Sequence, residues 1–235
     1  MINIKETLKG ILAIGLYYLL SILLSIPFSL LINKFNNNLT EQISTISLYL
    51  IMTIIFGIIY SKDLKKDFKD FKKNYKKYFK TIINYWLKGL FIMFASSFVI
   101  SIFDISTNTN QDENVRLLKE MPIVEITCAC ILAPIMEELV FRFSFRNSTK
   151  NKKLYAIVTG LIFAFVHVVT SLNDPLTILY LIPYGALGIA FGYIYKDTNN
   201  IFSSITAHTI HNTISIIELL LLGALLWMNN IKQEV

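Results

Sequence analysis

The stretch Ala133-Pro134-Ile135-Met136-Glu137-Glu138-Leu139-Val140-Phe141-Arg142 sets two adjacent carboxylates and an arginine at the end of a long apolar run. A carboxylate at membrane depth costs on the order of 2.5 kcal/mol or more on insertion scales, so a charge kept there marks a candidate functional site. In a helix, Glu138 and Arg142 share a face as an i, i+4 pair, while Glu137 points about 100° away. The guanidinium can neutralise Glu138, bidentately in a dry setting, and brace the helix end. Glu137 lacks that partner, and a desolvated carboxylate without a local counter-charge suits a general base or acid. The plainer alternative is a buried salt bridge with a spare carboxylate snorkelling to the interface.

All three histidines also lie in apolar stretches. His167 closes Phe163-Ala164-Phe165-Val166-His167, and His208 opens His208-Thr209-Ile210-His211-Asn212, where His208 and Asn212 share a helix face and His211 does not. A lone helical histidine is most simply a core residue, but three polar segments at one depth form a constellation. At about 1.5 Å per residue, Glu137, His167 and His208 are expected between the cytoplasmic half and the middle of the bilayer. Carboxylate, imidazole and amide together could activate water and stabilise an oxyanion. Glu137, His167 and His208 could equally supply a His/His/Glu zinc site with one open position. The HExxH pattern, the stronger zinc signal, is absent, so zinc stays possible and a metal-free scheme is favoured.

The elements that must position these groups are membrane helices. The chain has 235 residues, 54% hydrophobic and 16% charged, with a mean hydropathy of +0.55. Soluble domains average about 25% charged residues and lack repeated apolar runs near the length that crosses roughly 30 Å of hydrocarbon. The composition predicts an all-α, polytopic membrane bundle of about eight spans. They run from about Gly10 to Ile32, Ile43 to Tyr60, Ile82 to Phe103, Met121 to Phe143, Leu154 to Leu172 and Pro175 to Tyr195, with Ile201 to Met228 read as one tilted helix or, in preference, two short ones that meet near Glu218. Pro27 should merely bend the first, and Cys128 and Cys130 read as small buried residues rather than disulfide or zinc partners.

Between Lys62 and Lys80 nine lysines stand against Asp63, Asp67 and Asp70, with Leu64, Phe68, Phe71, Tyr75 and Tyr78 at spacings of three and four. This is a basic amphipathic helix, expected with its aromatic stripe in the headgroups and its lysines toward anionic lipid; a solvated hairpin is the alternative. Together with Arg146, Lys150, Lys152 and Lys153 it places two basic loops in the cytoplasm. The net charge of +6 thus concerns orientation and lipid rather than nucleic acid. The polar stretch Asp104 to Glu120 is expected to be an external loop. Residues 1–120 read as N-terminal transmembrane helices and 121–235 as the core that carries the chemistry.

Taken in order, Glu137-Glu138-x-x-x-Arg142, Phe163-x-x-x-His167 and His208-x-x-x-Asn212 resemble the CPBP family of intramembrane proteases, which includes type II CAAX prenyl endopeptidases and bacterial Abi proteins. The resemblance covers roughly the last hundred residues. It implies an eight-helix bundle with a conical cavity open to cytoplasm and membrane, in which Glu137 and His167 activate water, His208 and Asn212 hold the oxyanion, and Glu138 with Arg142 braces the site. Phe143 departs from the glycine that many members carry after the arginine, and His211 matches no motif position. The lysine- and asparagine-rich composition looks bacterial, which turns the expected substrate from prenylated proteins to a membrane-associated peptide or protein, as in signal-peptide or bacteriocin maturation. The competing class is a non-catalytic immunity or scaffold factor, or a small transporter, that uses its buried charges structurally.

Overall fold

The computed structural model describes residues 2–103, 108–172 and 174–234, the side chains of 223–234 excepted. The chain is a helix bundle: α1 (Ile4–Phe35), α2 (Asn38–Ile59), α3 (Ser61–Ile102), α4 (Thr109–Glu120), α5 (Pro122–Thr127), a π-helical turn (Cys128–Leu132), α6 (Ala133–Phe141), α7 (Lys152–Val168), α8 (Leu181–Thr198) and α9 (Ile201–Glu234). Among the described residues six helices are long and apolar enough to cross a membrane: α1, α2, α3, α7 and α8 with their flanking turns, and α9. The elements α5, the π turn and α6 follow one another without a break from Pro122 to Phe141 and carry the Glu137-Glu138 pair.

Asparagines punctuate this chain. Asn3, Asn37 and Asn151 cap α1, α2 and α7, each side-chain oxygen accepting a backbone N–H of the first turn. Asn36 and Asn199 end α1 and α8 in the left-handed region, at φ 42° and 49°, a conformation asparagine tolerates better than most residues. Adjacent helices can thereby reverse within two or three residues.

The structure redraws three of the expected elements. The basic amphipathic segment and the third span are one helix, α3, of 42 residues, about 63 Å long and twice the hydrocarbon thickness. No glycine or proline separates Lys80 from Ile82, so only the composition changes along an unbroken helix. The stretch expected as two short final spans is likewise a single helix, α9, continuous past Glu218. The polar stretch before Met121 is not a simple loop: it contains α4, while residues 104–107 lie outside the described set.

The two ends of the bundle differ in charge. At one end gather the start of α1, the lysine-rich half of α3, the turn 146–151, the end of α8 and the start of α9. Arg146 pairs with Asp63 at 2.8 Å and Lys152 with Asp197 at 2.6 Å. Asn200 donates to Asp67 O and Asp70, while the Ile201 N–H donates to Asp67 at the start of α9. The aromatic stripe of α3 is therefore divided between protein and surroundings: Leu64 joins the core, Phe71 stacks on Tyr78 and tilts against Phe202, and Phe68, Tyr75 and Phe79 are exposed. The opposite end carries α4, the connections after α1 and α7, and the end of α3.

Packing is closest between α7 and α8. A Cβ on Gly160 would lie 2.5 Å from Ile189 N, and one on Gly188 would lie 2.8 Å from Gly160 O, so the two backbones meet where neither residue has a side chain. The main core joins Met52, Phe56, Met136, Phe141, Phe145, Tyr155 and Tyr195. Phe143, the departure from glycine after the arginine, is itself buried there, edge-on to Tyr60 and Tyr195 and beneath Arg146.

Candidate functional site

Glu137 and Glu138 diverge as helix geometry requires. Glu138 and Arg142 are both fully buried, with Arg142 Nη1 3.2 Å from Glu138 Oε1. The pair is single-contact rather than the bidentate fork expected of a dry ion pair: Arg142 Nη2 is turned to Gly188 O at 3.1 Å, and the guanidinium lies 4.3 Å from the Phe163 ring centroid. The bare Gly160–Gly188 crossing is what brings that carbonyl within reach. Glu138 Oε1 is shared, since His208 Nδ1 approaches it at 3.1 Å.

The two imidazoles are each fixed from behind. A carbonyl can only accept, so His167 Nδ1 donates to Phe163 O at 2.8 Å. An ionised Glu138 likewise makes His208 Nδ1 a donor. Both Nε2 atoms then face Glu137, whose Oε2 is 3.9 Å from His167 Nε2 and 3.8 Å from His208 Nε2. These gaps are too long for direct hydrogen bonds, and they suit two groups flanking one oxygen at about 2.8 Å from each. His167 is held between Phe163 and Tyr184, and His208 stacks on Phe191.

Asn212 stands one turn beyond His208 and donates to Ala129 O at 2.8 Å, which ties α9 to the π turn and leaves one amide hydrogen uncommitted. His211 contacts the Phe191 ring and lines the same cavity, so it is nearer the site than its motif-less position implied. Glu137, His167 and His208 offer the donor types of a zinc site, and imidazoles whose other nitrogen is held by a carbonyl or carboxylate are the usual metal ligands. Among the described residues no three His, Cys, Asp or Glu side chains are gathered as tightly as a bound metal ion requires.

Glu137 and His167 lie where two cavities meet. One of about 310 Å³ is walled by Tyr17, Tyr49, Phe141 and Val166; the other, of about 820 Å³, reaches His208, Asn212, Phe191 and Glu125. The larger is rimmed by Glu41, Asn110, Gln111, Asn114, Tyr180 and Leu222, all at the end of the bundle opposite the basic turns. This corrects two expectations: His167 sits at the far end of α7 from Lys152, not in the half nearer the basic loops, and the cavity cannot open on the same side as those loops. Helix α4 forms part of the rim and is strapped to the site. Asn108 donates to His167 O at 3.2 Å and Asn110 to the Tyr184 hydroxyl at 3.2 Å. At this rim the Arg116 guanidinium, bonded to Glu113, holds that carboxyl below the usual range.

Sequence reasoning did not single out Tyr17, Tyr49, Asn110, Glu113, Tyr184 or Glu125. A tyrosine in an apolar span gives no motif, and α4 shows its role only once it is folded against α7. Glu125 carried the usable signal: it is a third carboxylate in the apolar run of Glu137 and Glu138.

Residues 119–214 match the family model described as type II CAAX prenyl endopeptidase, Rce1-like, a range that holds every residue of the three motifs. Two Lactococcus lactis proteins are similar: UPF0177 protein YxdF, 28% identical over 132 residues that span 53% of this chain and 71% of that protein, and UPF0177 protein YvdC, 30% identical over 145 residues that span 61% and 53%. The Bacillus subtilis protein named "Putative membrane peptidase YdiL" is 26% identical over 127 residues, spanning 52% of this chain and 48% of that protein. The chain thus spans about half the length of the latter two. No solved structure matches it significantly.

Proposed function

We propose, for a chain whose residues 119–214 match the Rce1-like type II CAAX prenyl endopeptidase model, that this protein is an intramembrane endopeptidase cutting a membrane-associated peptide or protein substrate. The reading rests above all on one observation: Glu137 Oε2 faces the Nε2 atoms of two anchored imidazoles at 3.8 and 3.9 Å, on the wall shared by two cavities. In this reading Glu137 is the base. A water held by Glu137 and His167 gives its proton to the Glu137 carboxylate as its oxygen attacks the scissile carbonyl carbon. The oxygen of the tetrahedral intermediate accepts from His208 Nε2–H and from the free Asn212 amide hydrogen. The C–N bond then breaks, the leaving nitrogen takes the proton from Glu137, and a new carboxylic acid and a new amine depart.

For His208 to donate through Nε2 while its Nδ1 donates to Glu138, it must carry both protons. Glu137, Glu138, Arg142 and His208 then sum to no net charge around the reacting atoms, which a poorly solvated site favours. Glu138, Arg142 and Phe163 act as positioning residues, holding His208 and His167 rather than touching the substrate. A zinc ion, if bound, would be held by Glu137, His167 and His208 and would supply a water of lowered pKa and a Lewis acid.

The lysine-rich half of α3 and the turn 146–153 are assigned to the cytoplasm by their positive charge, with the lysines toward anionic lipid. The cavity mouth then faces the other side, and substrate enters from there or sideways through the apolar cavity wall formed by Met93, Phe94, Leu219 and Leu222. Residues 121–235 carry the chemistry, and the N-terminal helices close the smaller cavity through Tyr17 and Tyr49. The test is to reconstitute the purified chain in nanodiscs with a library of membrane-inserted peptides and to identify new termini by mass spectrometry. Wild type should produce defined new termini and Glu137→Gln none; identical peptide profiles for both would refute an endopeptidase.

A further inference from the structure

Glu125 is only 2% exposed, and its Oε1 has no hydrogen-bond partner although it lines the larger cavity with Glu137. Nothing in the proposed hydrolysis uses it. A buried carboxylate oxygen left unpaired carries a desolvation penalty with nothing to offset it, so its presence here calls for a partner that is present only part of the time.

The π turn explains why this carboxylate faces the cavity at all. Twelve α-helical steps of about 100° would leave Glu125 and Glu137 about 120° apart around the axis. The π turn at Cys128–Leu132 takes up one extra residue, so the two stand in phase like residues eleven apart, about 20° from alignment. Cys128, Ala129 and Ala133 line the cavity between them and present only small side chains. The result is an open trough about 17 Å long with a carboxylate at each end. A strand of substrate advances at most about 3.3 to 3.6 Å per residue, so the trough holds about five residues in extended form.

We propose that Glu125 is the specificity-determining residue of this enzyme, receiving a lysine or arginine side chain that lies four to six residues from the scissile bond of an extended peptide. The surroundings favour a cation: Glu41, Glu113 and Glu218 stand on the wall of the same cavity, and Arg116, the one arginine among the described residues that line it, is already paired with Glu113 at 2.7 Å and Glu120 at 2.5 Å. The cationic head would bond the free carboxylate oxygen while its methylene stem lay along Met121 and Val124.

This inference rests on the endopeptidase reading, so its test separates binding from cleavage. Fluorescent apolar peptides carrying one lysine, or norleucine in its place, would be bound to full-length Glu137→Gln protein in nanodiscs. The same peptides, with the lysine moved one residue at a time, would be offered to the wild type. The expected result is at least tenfold tighter binding of the lysine peptide. That preference should collapse to about one in Glu137→Gln/Glu125→Gln and be largely kept in Glu137→Gln/Glu125→Asp, with cleavage four to six residues from the lysine. Equal affinity for lysine and norleucine peptides, or a lysine preference that survives Glu125→Gln in protein melting like its parent, overturns the proposal. Cleavage without lysine dependence overturns it while leaving the endopeptidase reading intact; lysine-dependent binding without any cleavage does the reverse.

Discussion

Glu138 Oε1 lies 3.1 Å from His208 Nδ1, although the two residues are 70 positions apart, and the same oxygen faces Arg142 Nη1 at 3.2 Å. One buried atom therefore holds α6 to α9 and decides which nitrogen of His208 looks toward Glu137. The neighbouring glutamates are unlike in consequence: one is a structural hub, and the other faces open space.

Replacing them should separate the two roles. Glu138→Ala strands a guanidinium and an imidazole in the core, and breaking one side of a buried pair costs roughly 3 to 5 kcal/mol. Glu138→Ala should therefore accumulate poorly and unfold well below wild type in detergent, whereas Glu137→Gln should fold normally and yield no cleavage products. Equal melting temperatures for the two variants would show that the division is wrong.

That division was legible from i, i+4 spacing alone, as was the gathering of three polar helices at one depth. What stayed hidden has physical reasons. The continuity of α3 was obscured because hydropathy changes sharply near Lys80 while helix propensity does not, and the continuity of α9 because Glu218 looked like a break but sits on an exposed face. Glu125 escaped notice because a 3.6-residue period puts it out of phase with Glu137, and only the π turn restores the register. The side on which the cavity opens depends on which helix ends meet α4, a tertiary fact that no local pattern carries.

The glycine crossing gives a packing prediction. Gly188→Val pushes a branched side chain against Gly160, where even a Cβ comes within 2.8 Å of the carbonyl oxygen, and moves the carbonyl that Arg142 bonds. Overpacking of this kind costs about 1 to 3 kcal/mol, so thermal unfolding should shift down with loss of activity. Gly15→Ala, whose Cβ meets nothing within 4 Å, should be neutral or slightly stabilising. Equal melting of Gly188→Val and Gly15→Ala would refute the close crossing.

Orientation follows from charge and is directly measurable. In a background with Cys128→Ala and Cys130→Ala, Lys69→Cys and Lys150→Cys should react with a membrane-impermeant maleimide only after cells are opened, and Gln111→Cys, on the cavity rim, should react from outside intact cells. Labelling of Lys69→Cys or Lys150→Cys in intact cells, or of Gln111→Cys only after lysis, would invert the topology and return the cavity to the cytoplasm.

The metal question turns on one hydrogen. His167 Nδ1 and His208 Nδ1 are committed to Phe163 O and Glu138 Oε1, so a neutral His208 offers a lone pair at Nε2 and a doubly protonated one offers a donor. A zinc ion needs the lone pair, and an oxyanion needs the donor. The neutral charge count of Glu137, Glu138, Arg142 and protonated His208, and the position of Asn212 one turn beyond His208, both favour the donor. Purified active protein should therefore hold well under one zinc per chain, and cleavage should survive exhaustive chelation with no fall in melting temperature. One zinc per chain that leaves together with activity and restores it on return would overturn the metal-free scheme, and His208 would then act as a ligand rather than as a hydrogen-bond donor.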